Sequence, residues 1–393
     1  MMLVRRMKLR REMMDFRISE EQAILKETVQ KFVAKEKLLE LARIHDETGE
    51  YPFQLHKTMA DLGWLGMCIP EEYGGNGGDV VGLFLLIEEL SRGALIAGNI
   101  VFRNVVNAGL AILRSGTTEQ KRYFLPKIAC GEFRFAFSLT EPNAGSDATS
   151  IVTSAVKQGD EYVVNGNKVF CTGAAVADYI QLVVRTDKSG PKHMGITVLL
   201  VDAKRPGITI RKIKKIVNKG METNELFFDD LMVPAANVLG RPDEGWQHIL
   251  KTLAFERIFV AAMCLGVTQR VVDDAILYAK QRVQFGRPIG TFQAIRFKLA
   301  DMQARLEAAR LLCYHAVWLI REGLPYERAV SIAKLVASET YALNSTEGMQ
   351  ILGGYGLTIE YDMQRYFRDA REFVIGAGTS EIMRSVIAKD MGL

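Results

Sequence analysis

The sequence predicts an α+β protein in which a helical region, a strand-rich region and a second helical region follow one another. Apolar residues recur at helical spacing near both ends, β-branched residues alternate with turn signals in the middle, and strands do not alternate with helices. A chain of 393 residues is too long to fold around one small hydrophobic core, so we expect more than one domain. We expect a basic, disordered extension over 1–14, a helical domain over 15–130, an antiparallel β-barrel or sandwich over 131–240 and a four-helix bundle over 241–393.

Composition narrows the classes of function. The chain is 48% apolar and 24% charged with a net charge of +4, and its basic residues form no block beyond the N-terminal segment, so we expect no nucleic-acid partner. No apolar run approaches the ~20 residues that span a bilayer, so we expect no stable membrane insertion. The five cysteines are scattered without a CxxC pair, which predicts reduced thiols, no metal site and a cytoplasmic protein. The basic segment lacks the apolar core of a signal peptide, although an arginine-rich transit peptide stays open.

Local signals support each region. Ser19 and Gln22 form a capping box ahead of a first helix, and further helices are expected over 53–62, 83–91 and 105–114, with a glycine-rich loop over 71–79. In the middle region, Asn165-Gly166-Asn167 predicts a hairpin turn between two short strands. In the last region, the segments 248–282 and 293–323 are long enough for antiparallel bundle helices.

Three segments stand out as candidate binding elements, and each has a simpler alternative. The apolar strand and small-residue turn over 135–147 could bind a flat ring or a phosphate, or be an ordinary strand exit. The paired glycines in 350–356 allow a close backbone approach, or cap a helix. The segments 367–370 and 376–382 could hold an anion or a carbonyl at a helix N-terminus, or serve as an N-cap through Thr379 or Ser380.

Taken together and in this order, these segments resemble the acyl-CoA dehydrogenase family. The resemblance covers about 15–393 and includes 69–75 and 281–289. It implies a homotetramer with one FAD per subunit between the β domain and the bundle. It also implies an acyl-CoA substrate and electron transfer to an electron-transferring flavoprotein.

The resemblance assigns the following positions. Along or over the flavin it implies Phe137, Leu139, Thr140, Ser146, Phe170 and Thr172; towards the FAD of a neighbouring subunit Arg282, Phe285, Gln293, Gln350, Gly353 and Gly354; at the adenosine or pyrophosphate Thr379 and Glu381; and at the CoA thioester Ser146, His193, Arg257, Ala377 and Gly378. Many relatives have Trp where Phe170 stands.

The catalytic base is expected at an unusual place. Most short- and medium-chain relatives carry Glu where this chain has Ala377, but the isovaleryl- and long-chain-like subset places it on the first long bundle helix, at the position of Glu256. Glu256 is therefore expected to remove the α-proton, while the β-hydride goes to flavin N5. The alternative is a structural ion pair between Glu256 and Arg257.

The sequence leaves the acyl group and the direction open. The reaction expected is oxidation of an acyl-CoA to the trans-2-enoyl-CoA, in the cytoplasm or, in a eukaryote, the mitochondrial matrix. Alternatives are an enoyl-CoA reductase with the same site, an acyl-CoA oxidase, and a non-catalytic FAD- or CoA-binding member. Arg103, in the polar stretch 99–107, could pair with a distal carboxylate or be a solvated helix residue.

Overall fold

The computed structural model describes residues 17–393. The predicted disordered extension over 1–14 lies outside these residues.

The first region is helical, as predicted. Ser19 Oγ accepts from the Gln22 amide at 3.2 Å and Gln22 Oε1 accepts from the Ser19 amide at 2.9 Å, which confirms the capping box. The elements are α1 (Glu20–Lys35), α2 (Leu38–Thr48), α3 (Phe53–Asp61), α4 (Val80–Gly93), α5 (Leu95–Val101), a π-helical segment (Phe102–Gly109), α6 (Leu110–Ser115) and α7 (Thr118–Ala129).

The continuous helix from Leu95 to Ser115 is long and apolar enough to cross a membrane by length and composition, contrary to our expectation that no segment would be. Within its most apolar window of 18 residues, 94% is buried inside the protein, as in a core helix. The π-helical segment lies in its middle.

The middle region is one eight-stranded mixed sheet. Its strands are β1 (Phe135–Ser138), β2 (Ser154–Gln158), β3 (Glu161–Thr172), β4 (Tyr179–Arg185), β5 (Ile196–Asp202), β6 (Ile208–Ile213), β7 (Thr223–Pro234) and β8 (Val238–Leu239). The order is β6-β7-β3-β2-β4-β5-β8, with β1 beside β4. The expectation of a wholly antiparallel sheet is wrong, because β1 runs parallel to β4 and the β2–β3 hairpin between them supplies the crossover.

The predicted hairpin at Asn165-Gly166-Asn167 is also wrong. β3 continues through these residues, and the turn lies at Gly159 and Asp160, since Gln158 pairs with Glu161. The pairing with β7 shifts register after Val164, and the Asn165 side chain exchanges two 2.9 Å hydrogen bonds with Asp230. The Asn-Gly pair therefore lies at a β-bulge, a structure that favours the same residue types as a hairpin turn.

The last region is the predicted helix bundle. It contains α8 (Gly245–Gln281), β9 (Val283–Gln284), β10 (Arg287–Pro288), α9 (Gln293–Arg321), α10 (Glu327–Leu352), α11 (Met363–Ile375) and α12 (Ser380–Asp390). α8 packs closely on α4: a Cβ on Gly266 would lie 2.1 Å from the Glu88 carbonyl oxygen. One core joins the two helical regions and another fills the sheet. The division into domains at 130 and 240 stays a prediction.

Candidate active site

Glu256 lies on α8 in an apolar stretch and is only 5% exposed. Burial raises the pKa of its carboxyl to about 7, against the opposing charges of Arg257 and Arg103. No described cation lies within 4.0 Å of it, and Arg257 instead donates from Nη1 to Ser331 Oγ at 3.3 Å. The alternative of a direct Glu256–Arg257 ion pair therefore finds no support in the geometry.

One face of α10 connects the Glu256 helix to the loop at 376–379. Ser331 accepts a hydrogen bond from the Arg257 guanidinium. One turn later on the same helix, Lys334 Nζ donates to the Gly378 carbonyl oxygen at 2.6 Å. Lys334 is fully buried, and burial lowers its pKa to about 8. Sequence reasoning missed Lys334, although a lysine within a run of buried bundle residues was a visible signal.

The loop itself is held in a demanding conformation. Ala377 has φ +52° and Gly378 φ +88°, both left-handed. Thr379 then caps α12, since its Oγ1 accepts from the Ile382 amide at 3.2 Å. Left-handed alanine is uncommon and persists where surrounding contacts impose it, here the Lys334 hydrogen bond. Glu381, in the first turn of α12, has a lowered pKa because backbone and Thr379 hydrogen bonds favour its charged form.

The predicted flavin-facing residues of β1 and β3 are brought together. The Val169 amide donates to the Thr140 carbonyl at 2.9 Å, and Cys171 Sγ lies 3.5 Å from the Phe137 carbonyl. Phe170 is 64% exposed with φ +58°, and the Thr172 hydroxyl meets that of Thr223 at 3.0 Å. An exposed aromatic ring on a strained strand, next to the strand exit, presents a surface for a flat ligand.

A buried ion pair between Lys168 and Glu141 stabilises the strand exit beside this surface. Lys168 Nζ donates to the Leu139 carbonyl and to Glu141 Oε1, each at 2.8 Å, and both side chains are almost completely buried. Glu141 also accepts from the amides of Val152 and Thr153, at 2.7 and 2.9 Å. The exit of β1 at Leu139 and Thr140 is thus fixed by charge-assisted hydrogen bonds.

Ser146 and His193, both predicted to meet CoA, lie on exposed loops that contact each other. Lys192 Nζ donates to Ser150 Oγ at 2.8 Å and to Asp147 at 3.2 Å. Arg185 secures both loops, because its Nη2 donates to the carbonyls of Thr149 and Lys192 at 2.6 and 2.9 Å. Sequence reasoning missed Arg185, which had no local motif to mark it.

A groove of about 640 Å³ gathers four residues predicted to reach a neighbouring subunit: Arg282, Phe285, Gly353 and Gly354. Phe285 is 93% exposed, and a Cβ on either glycine would meet nothing within 4 Å. Gln293 and Gln350 are exposed and do not line the groove, although their neighbours Phe292 and Ile351 do. Glu256 is absent from the lining, so the groove is a second site on the same chain.

The Arg368-Asp369 pair, one of the segments that stood out in the sequence, makes contacts within the protein. Arg368 Nη2 lies 2.6 Å from Asp46 on α2, and Asp369 accepts from the Asn218 amide at 2.6 Å. This pair therefore ties α11 to α2 and to the loop after β6.

Three family models match the chain in succession. They are the acyl-CoA dehydrogenase N-terminal domain over residues 19–132, the middle domain over 136–231 and the C-terminal domain over 243–392. The chain belongs to the acyl-CoA dehydrogenase family, as its resemblance implied, and is an oxidoreductase.

Relatives match along nearly the whole chain. A probable acyl-CoA dehydrogenase, YngJ of Bacillus subtilis, is 41% identical over 96% of this chain and all of its own length. A 3-(aryl)acrylate reductase of Clostridium sporogenes is 40% identical over 91% of this chain and 95% of its own. The solved butyryl-CoA dehydrogenase of Megasphaera elsdenii superposes with a TM-score of 0.92 at 38% identity, covering 97% of this chain and all of its own.

FAD is the cofactor of this family, and the described residues fit it. The exposed rings of Phe170 and Phe285 suit a flat heterocycle, and the open Gly353–Gly354 backbone admits a close approach. Ser380 Oγ is buried without a partner beside the predicted adenosine region, as expected where a polar ligand completes the site.

Proposed function

We propose that the protein catalyses the α,β-dehydrogenation of an acyl-CoA thioester to the trans-2-enoyl-CoA, with Glu256 as the base. The observation that carries the proposal is a buried carboxylate without an ion-pair partner among the described residues, with its pKa raised to about 7. A general base works best when its pKa lies near the operating pH. Bound FAD supplies the hydride acceptor for the hydrogen on Cβ.

The oxyanion that forms on the thioester carbonyl needs preorganised donors. The backbone amide at Ala377 is our candidate, because it is present whatever the side chain and lies in a loop fixed by Lys334 and by the Thr379 cap. Glu256 and this loop are both anchored to the same face of α10, through Arg257–Ser331 and Lys334–Gly378. That shared anchor supports their action on one substrate.

The reverse reaction is the second candidate, because the relative from Clostridium sporogenes is named a reductase. With the same residues, Glu256 would then deliver a proton to the α-carbon of an enoyl thioester. Direction follows from the potential of the bound flavin and from the electron partner.

We propose an electron-transferring flavoprotein as that partner and a homotetramer as the assembly. A relative in Acetobacterium woodii, 38% identical, is named as a subunit of a caffeyl-CoA reductase–Etf complex. The groove around Phe285 and Gly353 supports the assembly, because four of the residues predicted to reach a neighbour's FAD line it and Glu256 of the same chain does not.

The deciding experiment is an anaerobic titration of the FAD-loaded protein with a panel of acyl-CoAs, followed by flavin absorbance, with Glu256→Gln beside the wild type. We expect one class of thioester to bleach the wild-type flavin, and Glu256→Gln to lower the rate by about 10²–10⁴-fold while FAD and ligand still bind. Bleaching of Glu256→Gln at the wild-type rate would refute the assignment of the base.

A parallel titration of the reduced protein with enoyl-CoAs tests the direction. Reoxidation by an enoyl-CoA together with no reduction by any acyl-CoA would favour the reductase. Binding of thioesters without any change of flavin state would favour a non-catalytic member.

A further inference from the structure

Arg103 lies in the π-helical segment of the buried helix Leu95–Ser115 and has no ionic partner. No described carboxylate lies within 4.0 Å of its guanidinium, and its Nε is sealed from solvent without a hydrogen-bond acceptor. A guanidinium stays charged in proteins, so burial cannot be relieved by loss of a proton. Arg103 is half-buried as a whole with its Nε sealed, and an unpaired cation in such a place is costly, which indicates that a ligand completes it.

The polar side chains around Arg103 are also incomplete. Asn99 Nδ2, Asn104 Oδ1 and Asn107 Oδ1 are buried without partners. All three atoms belong to the same helix as Arg103, which places polar groups on an otherwise apolar core element. π-helical turns occur frequently at functional sites, because they redirect side chains within a helix.

The charged groups that the structure describes near Arg103 do not form an ion pair with it. Glu372 interacts electrostatically with both Arg103 and Lys215, and Lys215 also interacts with Arg103. Among the described residues, neither Lys215 nor Glu372 forms an ion pair within 4.0 Å. Glu372 Oε2 is itself buried without a partner. With Glu256, which also acts on Arg103, two cations face two carboxylates, but neither carboxylate contacts the guanidinium, so a direct anionic partner is still missing.

The position of Arg103 relates it to the reacting centre. Glu256 and Cys171, the latter between Phe170 and Thr172, are both within electrostatic range of it. It lines a small cavity between this helix and the sheet, together with Tyr51, Phe135 and Gly173. The cavity is about 10 Å³, which admits at most one water-sized atom, such as a carboxylate oxygen.

We infer that the acyl group of the substrate ends in a carboxylate and that Arg103 binds it, so that the substrate class is the CoA monothioester of a dicarboxylic acid. The inference rests on the proposed function for the thioester end. Arg103 then determines specificity: it positions the acyl chain, with Cα towards Glu256, by a charge-assisted hydrogen bond at the far end.

The test compares two matched ligands on the FAD-loaded protein, monothioesters of dicarboxylic acids with four to six carbons and their ω-amides of the same length. Binding is measured by calorimetry and reduction by anaerobic flavin absorbance. We expect the acid to bind about tenfold to a hundredfold more tightly than the amide, since hydrogen bonds between charged groups contribute more than neutral ones. Arg103→Met should abolish this preference, and Arg103→Lys should retain part of it.

Arg134→Met is the matched control, because Arg134 lines the same cavity but is already paired with Asp178 at 3.0 Å. We expect it to keep the ratio of acid to amide affinities. Equal affinities in the wild type, or an unchanged ratio in Arg103→Met, would overturn the inference. Preferential binding of the acid without flavin reduction would uphold it while contradicting the proposed dehydrogenase.

Discussion

At the residue scale, the environment of Glu256, our proposed base, predicts how activity depends on pH. A carboxylate acts as a base when deprotonated, and burial raises the pKa of Glu256 to about 7. We expect kcat/KM to fall about tenfold per pH unit below pH 7, because the protonated fraction of the free enzyme rises as the pH falls.

A pH profile from 5.5 to 9 with a substrate that bleaches the flavin checks this. The control is FAD retention at each pH, measured by gel filtration. A rate that stays constant down to pH 5.5 would mean that the base titrates near the ordinary glutamate value.

The sequence made Glu256 the candidate base because Ala377 stands where relatives carry it, and that role stays a prediction; the structure shows that Glu256 is buried. The sequence could not predict Lys334 or Arg185. Their roles depend on carbonyl groups of Gly378, Thr149 and Lys192, which belong to other elements and carry no side-chain signature.

At the element scale, the Lys168–Glu141 pair holds the exit of β1 against β3. Lys168→Met would leave Glu141 as a buried, uncompensated carboxylate, so we expect a loss of about 3–5 kcal/mol in the free energy of unfolding. Urea unfolding of the FAD-free protein measures it.

The double variant Lys168→Met with Glu141→Gln should lose less than Lys168→Met alone, since no charge is then left buried, although the single amide oxygen can accept from only one of Val152 and Thr153. A loss below about 1 kcal/mol for Lys168→Met would show that the pair is not needed to hold this element.

The contact between α8 and α4 gives a second prediction at this scale. Gly266→Ala would drive a methyl group into the Glu88 carbonyl at 2.1 Å, so the helices would have to separate. We expect a loss of about 1–3 kcal/mol, as for overpacked cores. Gly145→Ala is the control for thermal unfolding, because its Cβ would meet nothing within 4 Å; equal melting temperatures would contradict the close packing.

Some helices and strands could be predicted from the local sequence, and others could not. Helices with caps and clear periodicity, such as α1, were predictable because their hydrogen bonds are local. The Asn165-Gly166 bulge and the parallel pairing of β1 with β4 were not, because both depend on partners far along the chain.

At the scale of the whole molecule, the exposed groove predicts that subunits assemble with the FAD of one subunit bound against the groove of its neighbour. Phe285 is 93% exposed in the single chain, and a large exposed aromatic ring marks a binding surface. We expect Phe285→Ser to weaken FAD binding by about tenfold and to lower the oligomeric state at dilute concentrations, as for loss of an aromatic anchor.

Light scattering during gel filtration, together with the flavin-to-protein absorbance ratio, measures both effects. Leu250→Ser, at an exposed position outside the groove, is the control. A monomeric wild type that retains stoichiometric FAD would refute the shared site.

The separation of Glu256 from the 376–379 loop has a consequence for how such a site can diversify. The proposed proton acceptor lies on a helix of 37 residues, whereas the proposed donor to the thioester carbonyl is a main-chain amide, which no substitution other than proline removes. With Glu256 as the proposed base, the side chain at position 377 is not needed for proton transfer, and the left-handed backbone at φ +52° favours residues that tolerate this conformation, such as glycine or asparagine. Substitutions at this one position could therefore change the space beside the thioester without changing the residue that transfers the proton.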